Sequence, residues 1–110
     1  MAKKKAPARD AAVTRAESTA KILKAVADLD RLRIIHILRG GARNVSQLAR
    51  ALGAEIVNVS HHLSVLRDSK IVHHEKKGRF VFYSLHPHVY RSHGGTEVLE
   101  VNNVRLEIFR

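Results

Sequence analysis

The chain contains eight histidines and no cysteine, and this composition limits its metal chemistry. Without cysteine it can form no disulfide, no thiolate zinc site and no cysteine nucleophile. His73 and His74 are adjacent in a β-like run and point to opposite faces, so they cannot chelate one ion together. His86, His88 and His93 are the remaining cluster, and an imidazole-only site there would suit zinc, nickel or copper. We expect these three residues to be structural, with a zinc or nickel site as the alternative.

A second set of candidate side chains lies on a predicted helix that runs from residue 55 to residue 69. Its inward face is predicted by apolar residues at helical spacing, namely Ile56, Val59, Leu63 and Leu66. Its outward face carries short or planar hydrogen-bonding groups: Asn58, Ser60, His61, Ser64 and Arg67. Such groups can meet the edges of nucleic-acid bases without burying an unpaired charge. The alternative is a helix that only packs within a protein-interaction module.

Basic residues surround a predicted turn further along the chain. Gly78 separates two runs of period two, at residues 71–77 and 79–85, and these predict a β-hairpin. Lys76, Lys77 and Arg79 lie at its tip, where they could contact phosphates. The alternative is an ordinary solvated turn whose charge discourages edge-to-edge pairing. The aromatic residues of the second run are expected to pack within the hairpin and the core.

Composition indicates the class of partner. The chain has 110 residues, 45% of them hydrophobic, which suits one small globular domain. Lys and Arg total 20 against 10 for Asp and Glu, so the formal net charge is +10 and an anionic partner, above all nucleic acid, is favoured. Aromatic residues make up only 5%, which argues against a base-stacking single-strand binder.

Enzymes and membrane proteins are disfavoured. The sequence contains no glycine-rich phosphate loop, no carboxylates paired at catalytic spacing and no serine in a nucleophile elbow. No apolar stretch approaches the roughly 18 residues of a membrane helix, and no secretory signal is recognisable. We expect a non-enzymatic protein of the cytoplasm.

Three further helices are predicted upstream of residue 55. The first spans about residues 14–28, and the stripe predicted to face inward is Ala16, Ala20, Leu23 and Ala27. Asp30 is predicted to cap the second, at residues 31–39, whose inward stripe is Leu32, Ile35 and Leu38 and which Gly40 and Gly41 end. Asn44 and Gln47 form a predicted capping box for the third, which Gly53 closes. Arg31 and Arg33 either contact phosphate or lie along the helix surface.

The two ends of the chain are predicted to be accessory. Residues 1–13, with Lys3, Lys4, Lys5 and Arg9, predict a basic tail that either solubilises the protein or grips phosphates. Residues 86–90 are expected to make one helical turn that Gly94 and Gly95 break. Two runs within residues 97–109, around Asn102 and Asn103, predict a second hairpin that extends the first sheet or pairs with a second subunit.

These elements predict a mainly α fold with a small β part, a winged helix-turn-helix of order α-α-α-α-β-β plus a C-terminal β-hairpin. Residues 14–93 would be the DNA-binding domain, and residues 94–110 its extension. In such a fold the second helix of the pair lies in the major groove of duplex DNA and the first crosses the backbone. We predict base-edge contacts from Val57, Asn58, Ser60 and His61, backbone contacts from Ser64 and Arg67, a phosphate contact from Gln47, and further contacts from Lys76, Lys77 and Arg79.

The segments 45–53, 59–67 and 78–85, together with residues 23–38, resemble the ArsR/SmtB family of bacterial regulators. The resemblance covers about residues 19–91 and implies a homodimeric winged-helix repressor that binds an inverted-repeat operator. An inducer, often a metal or metalloid ion, releases such repressors from DNA.

Several positions depart from the family pattern. Asn44, Ser46 and Gln47 stand where metal sensors of the family can carry a Cys-x-Cys-Asp site. Leu99 and Asn102 stand where a second family site has its later ligands, and a hairpin replaces the last helix, which forms the dimer. Glu55 and Ile56 replace polar residues at the front of the recognition helix.

The preferred interpretation is therefore a repressor of the ArsR type that acts as a homodimer on double-stranded DNA, without metal sensing. Two alternatives stay open: an architectural protein that binds DNA without regard to sequence, and a protein-interaction module. Competition with random DNA would distinguish the first, and a lack of DNA binding at low salt would indicate the second.

Overall fold

The computed structural model describes residues 10–102 and 104–108. Within them the chain forms α1 (Ala11–Val26), α2 (Leu29–Leu38), β1 (Arg43–Asn44), α3 (Val45–Leu52), α4 (Ile56–Asp68), β2 (Val72–Lys77), β3 (Phe80–Leu85), β4 (Tyr90–His93), β5 (Thr96–Val101) and β6 (Val104–Ile108). The predicted order of four helices followed by a hairpin and a C-terminal hairpin is confirmed. The lysines and the arginine of the predicted basic tail lie outside the described residues.

Local side-chain caps determine where the first helices begin. The Asp10 carboxylate accepts a hydrogen bond from the Ala12 N–H at 2.8 Å, so α1 starts three residues before the predicted Thr14. Asp28, and not the predicted Asp30, caps α2, because its carboxylate accepts from the Arg31 N–H at 3.0 Å. Asp30 instead lies in the first turn of α2.

The predicted capping box of α3 is confirmed in both directions. The Gln47 N–H donates to Asn44 Oδ1 at 2.9 Å, and the Asn44 N–H donates to Gln47 Oε1 at 2.9 Å. Gly53 ends α3 with φ of 63°, a left-handed conformation that a residue with a Cβ adopts only at a cost. Local interactions at its two ends therefore determine where α3 begins and where the chain turns toward α4.

The strands form two separate antiparallel sheets of three. The wing sheet has the order β1-β3-β2, with Lys77 opposite Phe80 and Val72 opposite Leu85. The C-terminal sheet has the order β4-β5-β6, with Tyr90 opposite Leu99 and Val101 opposite Val104. The predicted second hairpin is therefore present, but it does not extend the wing sheet.

Strands β1 and β4 were not predicted from the sequence. Residues predicted to form a helical turn contain only one reverse turn, in which the Val89 N–H donates to the His86 carbonyl at 2.9 Å. Tyr90 then begins β4, and Gly94 and Gly95 connect this strand to β5 with φ angles of 57° and 82°. These glycines form a hairpin turn and do not break a helix.

One hydrophobic core joins the helices to the C-terminal sheet. Its largest fully buried side chains are Ile34, Ile35, Leu48, Leu63, Leu66, Ile71, Leu99, Val59 and Val72. Leu99 belongs to β5, so the C-terminal sheet supplies part of the same core that positions α3 and α4. No described helix is long and apolar enough to cross a bilayer.

The predicted inward stripe of α1 is wrong. Its buried residues are Ile22, Ala25 and Val26, whereas Ala16, Ala20, Leu23 and Ala27 are exposed. Two apolar stripes overlap on this alanine-rich helix, and only the packing against α2 and α4 decides between them. In α2 the buried residues are Ile34, Ile35 and Leu38, while the predicted Leu32 is only partly buried. In α4 the predicted Ile56 is 53% exposed.

A buried carboxylate connects the C-terminal sheet to α2. Glu97 of β5 is buried, and its Oε1 accepts from the Arg39 guanidinium and from the Tyr90 hydroxyl. Arg39 follows the last residue of α2, and its Nε also donates to the His36 carbonyl at 3.1 Å. This charge-assisted contact fixes the C-terminal sheet against the helical part.

Candidate nucleic-acid interface

The helix pair α3–α4 forms the centre of the candidate interface. The Ala54 N–H donates to the Ala49 carbonyl at 3.0 Å, which satisfies the end of α3 and turns the chain sharply into α4. Val59, Leu63 and Leu66 are fully buried, and they attach one face of α4 to the core. The opposite face of α4 is consequently held outward by a rigid helix.

The predicted base-edge and backbone residues of α4 all lie on exposed positions. Val57 has 76% of its surface exposed, and the polar members of the set are exposed as well: Asn58, Ser60, His61, Ser64 and Arg67. Val57, Ser60, His61 and Ser64 follow the i, i+3, i+4, i+7 spacing of one helical stripe. This stripe presents two hydroxyls and an imidazole in one line along the helix.

A polar cluster that sequence analysis missed positions the other side of α4. The His62 ring is partly buried, and its Nδ1 lies 3.1 Å from Arg31 Nη1. The Arg31 Nε and Nη2 donate to the carbonyls of Ala25 and Lys24 at 2.6 and 3.2 Å, at the end of α1. Arg31 therefore joins three helices and is not available to contact phosphate. His61, predicted on the outward face, is exposed, whereas the neighbouring His62 is only partly exposed.

Asp28 completes this cluster electrostatically. Its carboxylate lies 3.9 Å from His62 Nδ1 and 4.0 Å from the Arg31 guanidinium. The hydrogen bond from the Arg31 N–H, aided by the charges of Arg31 and His62 and opposed by burial, holds the pKa of Asp28 below its usual value. Asp28 thus stays ionised and stabilises the start of α2 beside α4.

The wing carries the predicted basic residues at its tip. Lys76, Lys77 and Arg79 are exposed, and the Arg79 guanidinium lies over the Phe80 ring at 5.3 Å from its centroid. Phe80 is itself 48% exposed, although the aromatic residues of this strand were expected to pack inward. The tip therefore presents three cations together with one apolar ring.

A contact between side chains connects α4 to the wing. Arg67 Nη1 lies 3.0 Å from His74 Nδ1, and the His74 ring packs edge-on against Tyr83 with 5.5 Å between centroids. Arg67 lies at the end of the outward stripe of α4, so this contact connects that face of the helix to β2 of the wing. Arg67 and the basic wing tip were both predicted from the sequence, but the contact through His74 was not.

Gln47 lies at the start of α3, where its side chain has a structural role. Its Oε1 accepts the hydrogen bond from the Asn44 N–H, and the residue is otherwise exposed. The amide nitrogen of the same side chain carries two N–H donors that suit a phosphate oxygen. The capping box thus orients the Gln47 side chain, which is predicted to contact phosphate.

The three histidines considered as an alternative metal site do not form one cluster. The His86 ring lies 6.1 Å from His88 and 5.5 Å from His73, while His93 is an exposed residue of β4. In residues 10–102 and 104–108, no group of three or more His, Cys, Asp or Glu is arranged to hold a metal ion. His73 and His74 contact different neighbours, as their opposite faces in β2 require.

Comparison with known families matches the centre of this interface. Residues 28–74, which include α2, α3 and α4, match the family described as "Bacterial regulatory protein, arsR family". The transcriptional repressor SdpR of Bacillus subtilis is 31% identical over 64 residues, which cover 58% of this chain and 71% of SdpR. The HTH-type transcriptional regulator NmtR of Mycobacterium tuberculosis is 42% identical over 71 residues, which cover 64% of this chain and 59% of NmtR.

A solved structure has the same fold. The homodimeric winged helix-turn-helix DNA-binding domain of Mb0332 from Mycobacterium bovis superposes with a TM-score of 0.66 at 27% identity. The match covers 74% of this chain and 75% of that domain. The predicted winged helix-turn-helix fold is thereby confirmed. The chain spans 71% of SdpR but less than two thirds of NmtR.

Proposed function

Because the chain belongs to the ArsR family of bacterial regulatory proteins, we propose that it is a transcriptional repressor that binds an inverted-repeat operator as a homodimer. The observation that carries this proposal is the outward stripe of α4, with Ser60 and His61 at its centre. It is exposed on a helix whose opposite face is fully buried, and a basic wing flanks it.

The dimensions of α4 suit the major groove. Thirteen residues at about 1.5 Å each make a rod of about 20 Å, and the groove of B-DNA is about 12 Å wide. Asn58, Ser60 and His61 would read base edges together with Val57, while Ser64 and Arg67 approach the backbone. Because Asn presents a donor and an acceptor side by side, it suits adenine, and the histidine ring can donate to guanine.

The remaining proposed contacts are with the sugar-phosphate backbone. Gln47 would donate from the start of α3, and Lys76, Lys77 and Arg79 would contact phosphates from the wing. These contacts set orientation and affinity but carry no sequence information. Lys and Arg side chains that bind phosphates release counterions from the DNA, and the formal net charge of +10 favours such binding.

A dimer follows from the size of one recognition helix. A single helix contacts one half-site, and two copies about 34 Å apart would add their contacts on successive turns of the duplex. The DNA-binding domain of Mb0332 is homodimeric, which supports the same assembly here. A regulator of this kind acts on the bacterial chromosome, so we place it in the cytoplasm, and we propose no catalytic role.

We further propose that release from DNA needs no metal at the start of α3. Asn44 and Gln47 stand at ligand positions of the family's thiolate site, but both are used in the capping box, and Ser46 offers no thiolate. The experiment must also distinguish this case from a repressor that zinc or nickel controls by binding at another position.

Selection from a random pool of duplex DNA tests the proposal. Wild-type protein should recover one inverted repeat with half-sites about one helical turn apart, with or without added zinc or nickel. Recovery of no consensus would favour the architectural alternative. An absence of binding at low salt would contradict any DNA-binding role and would favour a protein-interaction module.

A further inference from the structure

An apolar side chain stands at the front of the outward stripe of α4. Val57 is 76% exposed, and it precedes Ser60, His61 and Ser64 on the same helical stripe. Surface hydrophobics that stand singly need no explanation, but this one lies in the first turn of the proposed recognition helix. In helix-turn-helix proteins the first residues of that helix approach the base edges.

The neighbouring Ile56 differs from Val57 in direction. Consecutive helical residues are about 100° apart, and Ile56 shares its side of α4 with the fully buried Val59 and Leu63. It is accordingly less exposed, at 53%. Glu55, which precedes both, makes no side-chain hydrogen bond to the helix start. Val57 is thus the more exposed of the two apolar side chains at the front of α4, and the next residues on its stripe, Ser60 and His61, are polar.

The chemistry of Val57 restricts what it can recognise on DNA. Its side chain has neither donor nor acceptor, so it cannot read the hydrogen-bonding pattern of a base pair. The apolar feature of base pairs in the major groove is the C5-methyl group of thymine. The surface around Val57 favours duplex DNA as its occupant, because Arg67 and the basic wing continue the same face of a chain with a formal net charge of +10.

We propose that Val57 determines sequence specificity by packing against the C5-methyl group of a thymine in each operator half-site. This inference rests on the proposed function and adds to it the chemical group that the front of α4 reads. Ser60 and His61, one turn further along the same stripe, would hydrogen-bond the adjacent base pairs. A thymine is therefore expected at one fixed position beside the bases that those residues contact.

Deoxyuridine tests the proposal, because it differs from thymidine only by this methyl group. The probe is the duplex recovered from the random pool, in which each thymine is replaced in turn by uracil, symmetrically in both half-sites. Burying one methyl group changes affinity by about fourfold, so one position should weaken wild-type binding by about fifteenfold when both half-sites are substituted. All other thymines should tolerate the replacement.

Two variants locate the effect. Val57→Ala should bind the thymine duplex about as weakly as wild type binds the uracil duplex, and it should no longer distinguish the two. Ile56→Ala is the matched control: it also shortens an exposed apolar side chain of α4 but should keep the full sensitivity to uracil. Both side chains are more than half exposed and alanine favours helices, so both variants should unfold close to the wild-type urea concentration.

The outcomes separate this inference from the proposed function. If wild type recovers a consensus but tolerates uracil at every thymine, or if Val57→Ala keeps the sensitivity, the inference is wrong and the repressor proposal stands. A consensus without thymine in its half-sites would overturn the inference in the same way. If no consensus is recovered, both proposals fail.

Discussion

The wing sheet and the C-terminal sheet have the same architecture but different surfaces. Each has three antiparallel strands with the middle strand paired on both sides. In β2 of the wing, only Val72 is buried and the residues after it are exposed, whereas β5 buries Val98, Leu99 and Val101. Burial, and not topology, therefore determines which sheet can meet a partner. The wing is free to contact DNA, and the C-terminal sheet is part of the core.

The largest effect should come from the core of the C-terminal sheet. Leu99 is 1% exposed, so Leu99→Ala should lower the free energy of unfolding by about 3 kcal/mol. Urea unfolding followed by circular dichroism measures this change. Phe80→Ala on the wing is the matched control and should cost less than about 1 kcal/mol, because Phe80 is 48% exposed. Equal decreases in the free energy of unfolding would contradict the difference in burial between the two sheets.

A second prediction concerns the reading of bases by α4. Asn58→Ala and His61→Ala should each reduce discrimination at one base pair by about tenfold, because a good hydrogen-bonded contact is worth about this much. Repeating the random-pool selection with each variant should relax the consensus at one position per half-site. An unchanged consensus for both variants would show that the face of α4 does not read sequence.

The third prediction compares charges on the two sheets. Arg79→Ala at the wing tip should weaken binding several-fold to every sequence and reduce the slope of log affinity against log salt by about one for each subunit of the dimer. Arg105→Ala removes the same charge from an exposed position of the C-terminal sheet and should leave the slope unchanged. Fluorescence anisotropy at four salt concentrations measures both. Equal slopes for the two variants would contradict a phosphate contact by Arg79.

The smallest effect should be a pH dependence near the contact between the helical part and the C-terminal sheet. Burial, reinforced by the charge of Arg39, lowers the pKa of His36 below its usual value. The folded state therefore binds fewer protons than the unfolded state, and stability is lost as pH falls below about 6.5. His36→Gln should flatten the free energy of unfolding between pH 7.5 and pH 5.5. If the free energy of unfolding declined equally in wild type and variant, His36 would not be the cause of the pH dependence.

Sequence patterns predicted the helix pair and the wing well, because local signals define them. The capping box of Asn44 and Gln47, the left-handed Gly53 and the change of period after residue 70 all act within a few residues. The exposed positions of α4 followed from the same helical period. Their contacts with bases and phosphates remain predictions.

Long-range packing explains what the sequence did not reveal. The four polar residues of β4 carry no strand pattern, and the strand exists because β5 pairs with it. Arg39 and Glu97 lie 58 residues apart, so their contact leaves no local signal. The same holds for Arg31, whose bonds to α1 and to His62 depend on how three helices meet. Asp28 and Asp30 are equally good local caps, and tertiary context chose between them.

Site-specific cross-linking from residue 60 tests whether α4 lies in the major groove, and the label can be placed at one position because the chain has no cysteine of its own. Ser60→Cys, labelled with a photoreactive group and irradiated on the selected duplex, should cross-link to major-groove bases within one half-site. Arg105→Cys, labelled in the same way on the C-terminal sheet, should give no cross-link to DNA. A cross-link from residue 60 to the same chain or to its partner, with DNA unlabelled, would contradict an α4 that lies in the groove.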